Sequence, residues 1–468
     1  MSYHLCLDKN GGTSVEALQK DQILKKVKQS PSQKVKVAVT DLDGVLRGKY
    51  IHKEKFFSAT EEGFDFCNVI FGWDIADVVY DNSHYTGWHT GYPDAKVYLD
   101  LNTYREVPWD NHTPFFLGHF MKDYKTPLPI CPRQLLKSVI KNCETNGFLP
   151  MAGLEFEWFN FRETPQSLKE KEYTQPTPLT PGMFGYSLLR AGYEQNYFNA
   201  LMDEMEEFGV PLEGLHTETG PGVYEAAISA SDALTAADRA VLFKTGTKEI
   251  AYRYGILPSF MAKWNSQLPG CSGHIHQSLW EIGDRKNVFY DPNNPNKMSQ
   301  TFKHYLAGQI NCLPQILPML VPNVNSYKRL VEGLWAPTQI NWAVDNRTAA
   351  LRVISGKPKA TRLETRVAGA DINPYLALAA SLASGLYGIN NELELPTAVQ
   401  GNAYKDKESK RLPNNLYRAT EKMAKSEIAR ELFGDDFVDH FTATRHWEWR
   451  QYQEAVTDWE LRRYFEIT

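Results

Sequence analysis

Hydrophobic and polar residues alternate from Lys34 to Thr40, with Val35, Val37 and Val39 on one face and Lys34, Lys36 and Ala38 on the other. Asp41-Leu42-Asp43-Gly44 supplies turn residues, and Val45 to Ile51 returns the chain, so this pattern predicts a β-hairpin. Residues 1–33 read as a polar arm ending in a short charged helix over 21–28 and a Ser30-Pro31-Ser32 break. Past the hairpin come strand-like segments at 97–101 and around Val107-Pro108-Trp109, separated by frequent turn residues. Residues 34–132 are therefore expected to form a mostly β N-terminal domain. Pro127, Pro129 and Pro132 mark a boundary, and Leu135, Leu136, Val139 and Ile140 have helical spacing over 133–146.

The larger part, 133–468, alternates expected strands (149–161, 212–217, 222–229, 273–280, 348–354, 361–367) with expected helices (193–207, 231–254, 374–388, 412–432). The class is α+β. No glycine-rich phosphate loop follows a strand, so a dinucleotide-binding or P-loop unit has no anchor. The most apolar stretches are 310–324, interrupted by Pro314, Pro318 and Pro322, and 374–389, where Asn373 and Pro374 are placed as N-cap and first helical residue. Neither offers the ~20 apolar residues of a membrane span.

Composition narrows the function classes. In 468 residues, 51 Lys+Arg stand against 56 Asp+Glu, a net charge of -5. That balance supplies no bulk positive field for a nucleic acid or an anionic membrane, and neither partner is expected. The six cysteines form no C-x-x-C pair, and the first residues lack a signal-peptide pattern, so a reduced, soluble, cytoplasmic protein is expected.

Candidate chemistry lies on the expected strands. Glu155 and Glu157 sit at i and i+2, so both point to one face while Leu154, Phe156 and Trp158 point to the other. Glu218 and Glu225 flank a Gly/Pro turn, His274 and His276 share a strand face, and Arg362, Glu364 and Arg366 repeat the device. Each alone also fits a solvated turn acid, a satisfied core histidine or a cross-strand ion pair. Together they give five carboxylates and a histidine, a hard, oxygen-rich set suited to Mg²⁺ or Mn²⁺. Arg329, Arg347, Arg352, Lys359, Arg362 and Arg366 cluster beyond them, a set suited to phosphates and a carboxylate.

From Lys34 to the end, the chain resembles the glutamine synthetase superfamily. The segments Leu154-Glu-Phe-Glu, His216-x-Glu-x6-Glu225, Gly273-His-Ile-His, Asn325-Ser-Tyr-Lys-Arg-Leu330, Asp345-Asn-Arg, Arg362-x-Glu-x-Arg366 and Asn373-Pro-Tyr occur in the family's order. The resemblance implies a β-grasp N-terminal domain, a catalytic domain with a curved antiparallel sheet flanked by helices, and rings of ten or twelve copies with active sites shared between neighbours. It implies one metal on Glu157, Glu218 and Glu225, and a second on Glu155, His274 and Glu364 facing the ATP phosphates. His276, Ser278, Lys359, Arg362 and Glu213 fall on its nucleotide side. Arg329 and Arg366 fall on its substrate-carboxylate clamp, with Gly270 lining the glutamate pocket, and Arg347 and Arg352 on the transferred phosphoryl group. The implied reaction is ATP-dependent activation of the γ-carboxylate of L-glutamate as an acyl phosphate, followed by displacement with an amine.

Two departures bear on that amine. Ammonia-using members of the family carry a flap glutamate where this chain has Trp335, and Glu332 lies three residues early. The family's Asp-Gly-Ser-Ser segment is absent, and Phe66 to Asp74 stands in its region. Trp335, Phe71 and Trp73 would offer an apolar or cation–π surface, which predicts an organic amine, whether aromatic, alkyl or polyamine. The alternatives are ammonia served by Asp74 and a non-catalytic relative. A third is a haloacid-dehalogenase-like phosphatase built on Asp41 and Asp43 with Asp435 and Asp439.

Overall fold

The structure is a computed structural model describing residues 20–123, 125–294 and 296–468. Apart from Lys20, the expected N-terminal arm over residues 1–20 lies outside the described residues. The charged helix that follows spans Lys20–Gln29 and buries Ile23 and Val27.

Among the described residues, the strands form two sheets. The first contains β1 (Lys34–Thr40), β2 (Leu46–His52), β3 (Phe64–Cys67), β4 (Asp94–Leu99), β5 (Arg105–Val107) and β6 (Thr113–Met121), in the order β2-β1-β6-β4-β3 with β5 also on β6. Val35, Val37 and Val39 are buried as the alternation predicts. Asp41 organises the hairpin turn: its Oδ1 accepts from the Asp43 and Val45 amides at 3.0 and 2.9 Å, and its Oδ2 from Arg47 Nε at 2.8 Å. Asp435 and Asp439 lie in the first turns of the helix Asp435–Glu454 and each pair with Arg430 at 2.6 Å. The phosphatase alternative thus loses its acids to a turn and an ion pair.

The second sheet is built on β7 (Phe148–Phe161). Its other members are β8 (Leu212–Thr217), β9 (Val223–Ile228), β10 (Ser231–Asp232), β11 (Leu257–Ser259), β12 (Gly273–Glu281), β13 (Trp342–Val344), β14 (Leu351–Ile354) and β15 (Arg362–Thr365). The order is β13-β14-β15-β12-β7-β9-β8, with β10 and β11 also paired to β7. The helix Ala233–Tyr252 packs behind β7, and the helices Gln300–Leu320, Pro374–Asn390 and Pro132–Thr145 complete the layer. A buried polar cluster fastens the sheet to that layer. Gln277 donates to Thr365 Oγ1 at 2.9 Å and accepts from Tyr305 and, at 2.8 Å, from Gln309. Arg133 joins the two halves through Asp100 and Asp238, each at 2.9 Å.

One expectation is corrected. The helix expected over 412–432 is two, Leu416–Ala424 and Glu427–Phe433, because the Ser426 hydroxyl caps a new helix by accepting from the Ala429 amide at 3.0 Å. The proline-interrupted stretch from 310 lies largely within Gln300–Leu320, which continues through Pro314 and Pro318 because its apolar side is buried. No described helix is long and apolar enough to cross a membrane.

Candidate active site

Antiparallel register puts the acids together. Residues directly opposite in such a ladder share a sheet face. His274 lies opposite Glu155, His276 opposite Glu364, and Arg352 opposite Glu364. Glu157 lies opposite Glu225, which in turn faces His216 on β8. One face therefore carries the charged residues of six strands, while Leu154, Phe156 and Trp158 are buried behind it.

This face is the wall of a cavity of about 610 Å³ lined by fourteen of the expected residues. They are Glu155, Glu157, Glu218, Glu225, Gly270, His274, His276, Arg329, Trp335, Arg347, Arg352, Arg362, Glu364 and Arg366. His274 Nδ1 stands 2.8 Å from Glu155 Oε1 and 3.5 Å from Glu364 Oε1, and His276 Nε2 is 3.3 Å from Glu155 Oε2. Glu364 also pairs with Arg352 at 2.8 Å and with Arg366. Arg329 is buried and donates to the carbonyls of Val367 and Arg366 at 2.9 and 3.2 Å.

The electrostatics divide the wall. Burial, and then the carboxylates of Glu155, Glu157 and Glu218, push the Glu225 carboxyl well above the ordinary range, and burial also raises Glu157. Burial would raise Glu155 and Glu364 too, but His276 and His274 hold Glu155 well below the ordinary range, and Arg366 with the histidines brings Glu364 to about 2. Burial and then Arg366 lower His274 to about 4, leaving it neutral, as a metal ligand must be.

Buried acids with raised pKa values mark a place short of positive charge. Two groups suit cations: Glu155, His276 and Glu364, and His216, Glu218 and Glu225, each with ligand atoms within 4.8 Å of one another. His274 Nε2 and Glu218 Oε2 are buried with no hydrogen-bond partner, as side chains awaiting an ion would be. The carboxylate-rich donor set fits Mg²⁺ or Mn²⁺. His276 thus approaches the same carboxylates as His274, and His216 joins the other group. The register gave both, but sequence spacing alone did not.

The family model for the glutamine synthetase catalytic domain matches residues 129–464. The chain belongs to the glutamine synthetase family. Type-1 glutamine synthetase 2 of Dictyostelium discoideum is 54% identical over 451 residues, covering 96% of this chain and 86% of that protein. A glutamate–isopropylamine ligase of a Pseudomonas species is 37% identical over 436 residues, covering 92% and 95%. Among solved structures, a GmaS/ADP complex superposes with a TM-score of 0.83 at 25% identity, covering 95% of this chain and 99% of that one. The protein is thus a glutamine synthetase-type ligase, an ATP-dependent former of amide bonds with the α+β fold of that family.

The structure does not bring every expected residue to the cavity. Phe71 is corrected: it is fully buried among Phe120 and Tyr85 in the N-terminal core, so it presents no surface to any amine. Trp73 is half-buried beneath the Arg47 guanidinium, 5.1 Å away, and lies outside this chain's cavity. Glu213 on β8 and Lys359 are exposed, and Ser278 accepts from Trp280 Nε1 at 2.9 Å; these three also lie outside the lining. Tyr186 is the residue that sequence reasoning missed. Its ring stacks on His216 at 4.5 Å, and the end of β8 fixes its segment through Tyr186 N to Thr217 O (2.7 Å) and Ser187 N to Thr217 Oγ1 (2.9 Å). It sits in a long insertion whose spacing carries no periodic signal.

Gly270 is required by close approach. A Cβ there would stand 2.4 Å from the Ala262 carbonyl oxygen and 2.7 Å from Arg329 Cγ. Gly270→Ala should displace Arg329 and raise the KM for glutamate by about tenfold or more with a folded protein, which steady-state kinetics and circular dichroism check together.

Proposed function

We propose that this chain is a ligase joining the γ-carboxylate of L-glutamate to an organic amine at the expense of ATP. The observation that carries the choice of amine is the flap: Trp335 lines the cavity with its side chain exposed, and the flap offers no carboxylate beside it. Glu332 is turned to Arg411, 3.0 Å away and outside the cavity lining. Asp74, the acid that would serve ammonia, accepts from Trp447 Nε1 at 2.9 Å and from the Ala76 and Val78 amides, each at 2.9 Å. An ammonium pocket needs anionic groups, whereas an indole suits the apolar substituent of an amine. The name of the Dictyostelium relative favours a second reading in which ammonia is the nucleophile.

In the proposed reaction an oxygen of the γ-carboxylate attacks the γ-phosphorus of ATP, the bond to ADP breaks, and a γ-glutamyl phosphate forms. The amine nitrogen then attacks the acyl carbon, phosphate leaves with the C–O bond pair, and the nitrogen gives up a proton. Arg329 and Arg366, beside Gly270, hold the glutamate. Arg347, whose guanidinium makes no ion pair among the described residues, and Arg352 face the transferring phosphoryl group, where guanidinium charge favours the transition state over the ground state. His276, Ser278, Lys359, Arg362 and Glu213 form the nucleotide side. Glu157, Glu218 and Glu225 would hold one divalent cation, and Glu155, His274 and Glu364 another. Such ions neutralise phosphate charge.

The active form is proposed to be a homo-oligomeric ring of ten or twelve copies, with the N-terminal domain of a neighbour completing each site. Exposed Leu188, Leu189, Phe465 and Ile467 support burial in an assembly. Light scattering reads the mass against 53.4 kDa per chain.

Cation binding should depend on pH in a stated sense. The raised carboxyls of Glu225 and Glu157 keep their protons to higher pH, and a cation must displace them. Mn²⁺ affinity should therefore fall as pH is lowered from 8 to 6, with proton release on binding, both measurable by calorimetry.

The intermediate is tested with hydroxylamine, which traps acyl phosphates: γ-glutamyl hydroxamate should form only with ATP, glutamate and Mg²⁺ together, with one ADP per hydroxamate. The nucleophile is tested by competition between equal concentrations of ammonia and ethylamine, with products separated by mass. A γ-glutamyl ethylamide in excess is expected, and glutamine in excess would overturn the amine reading.

A further inference from the structure

Arg329 differs from the other cavity arginines in what holds it. Arg352 and Arg366 are paired directly with Glu364, but among the described residues no carboxylate lies within ion-pair distance of Arg329. Its guanidinium is fixed by two backbone carbonyls, those of Val367 and Arg366. A buried guanidinium needs a countercharge, yet one bonded to it directly would compete with the carboxylate of a substrate.

The turn that delivers Arg329 supplies an answer. Asn325 to Lys328 forms a 3-10 turn immediately before it, and the Asp371 carboxylate grips that turn from behind. Asp371 Oδ2 accepts from Ser326 Oγ at 2.5 Å and from Asn323 Nδ2 at 3.1 Å, while Ser326 Oγ accepts from the Asn323 amide at 3.0 Å. Asp371 Oδ1 is buried with no hydrogen-bond partner, and the burial that lowers Arg329 is opposed first by Glu157 and then by Asp371. Space for this oxygen depends on Gly369, where a Cβ would stand 2.5 Å from Oδ1. Asn325 ties the same turn to the strand-leading loop through the Lys263 amide and carbonyl at 2.9 and 2.7 Å, and that loop carries Gly270.

We propose that Asp371 is a positioning residue for glutamate binding: it holds the Asn323–Ser326 turn and balances the Arg329 charge from outside the site, so that the guanidinium is free to take the substrate carboxylate. The inference rests on the reading of Arg329 as a glutamate clamp.

The test uses the full-length enzyme in the hydroxamate assay, which does not depend on the identity of the amine. Asp371→Asn, Ser326→Ala and Arg329→Lys are compared for KM(glutamate), KM(ATP) and kcat. Asp371→Asn should raise KM(glutamate) by about tenfold or more, with KM(ATP) within about twofold and kcat at saturating glutamate nearly kept, because one charged hydrogen-bond acceptor is lost at the clamp alone. Ser326→Ala, which keeps the charge and removes one bond, should give a smaller rise in the same direction. It decides the question if Asp371→Asn fails to fold. If Arg329→Lys raises KM(glutamate) and neither of the other variants does, the positioning role is wrong. If Arg329→Lys leaves KM(glutamate) unchanged, the clamp reading itself fails. Equal rises in both KM values would mark a merely structural role and would also overturn the proposal.

Discussion

Glu364→Gln is expected to reduce kcat/KM by about a thousandfold or more and to destabilise the fold by about 3–5 kcal/mol. Glu364 is almost fully buried, takes both Arg352 and Arg366, and lies in the Glu155–His276 group. Removing its charge leaves two largely buried guanidiniums without their shared partner, and takes a ligand from a proposed cation position. The pH dependence has a definite sign. The carboxyl is held at about 2, below the ordinary 4.5, so the stabilisation is complete above about pH 4.5 and is lost as pH falls through about 2. The stability difference between the native chain and Glu364→Gln, measured by denaturant unfolding, should accordingly be constant from pH 8 to 5 and shrink below pH 4.5. A stable variant with near-native turnover would remove Glu364 from the site.

Trp335→Glu is expected to reverse the preference between nucleophiles. It places a carboxylate on the flap, where Trp335 now lines the cavity from a left-handed backbone conformation with φ 64°. A bulky residue is costly in that region, so the loop must hold it there for a reason other than local preference. The kcat/KM for ethylamine should fall by at least about tenfold and that for ammonia should rise, because one apolar contact is lost and an ammonium partner gained. Trp335→Ala should lose the organic amine without gaining ammonia. If both variants leave the ratio of the two kcat/KM values unchanged, Trp335 only packs the flap.

The parts legible in sequence were those with a two-residue repeat on a half-buried strand. Glu155 and Glu157, His274 and His276, and Arg362, Glu364 and Arg366 announce a common face because the residues between them (Phe156, Ile275, Leu363 and Thr365) turn to the buried side, and the register bears this out. Strand β6 was missed because both its faces are covered: Phe115, Phe116, Leu117 and Phe120 are all buried, so no alternation remains. The continuity of Gln300–Leu320 through two prolines was hidden for a related reason, since tertiary burial outweighs the local cost of proline in a helix. Phe71 falls in the region where the resemblance puts the family's Asp-Gly-Ser-Ser segment, but its neighbours in space, Phe120 and Tyr85, are core, and sequence position alone does not show which way its ring turns. Tyr186 and the role of His216 depend on a stacking contact between an insertion and a strand end, which no spacing rule encodes.

Whether this glutamine synthetase-type site takes an organic amine is read from ADP release with glutamate, ATP and Mg²⁺ against ammonia, ethylamine, putrescine, spermidine and aniline in turn. One of the organic amines should have the highest kcat/KM, with the corresponding γ-glutamyl amide as product; ammonia as the best substrate would make the enzyme a glutamine synthetase proper and overturn the amine reading.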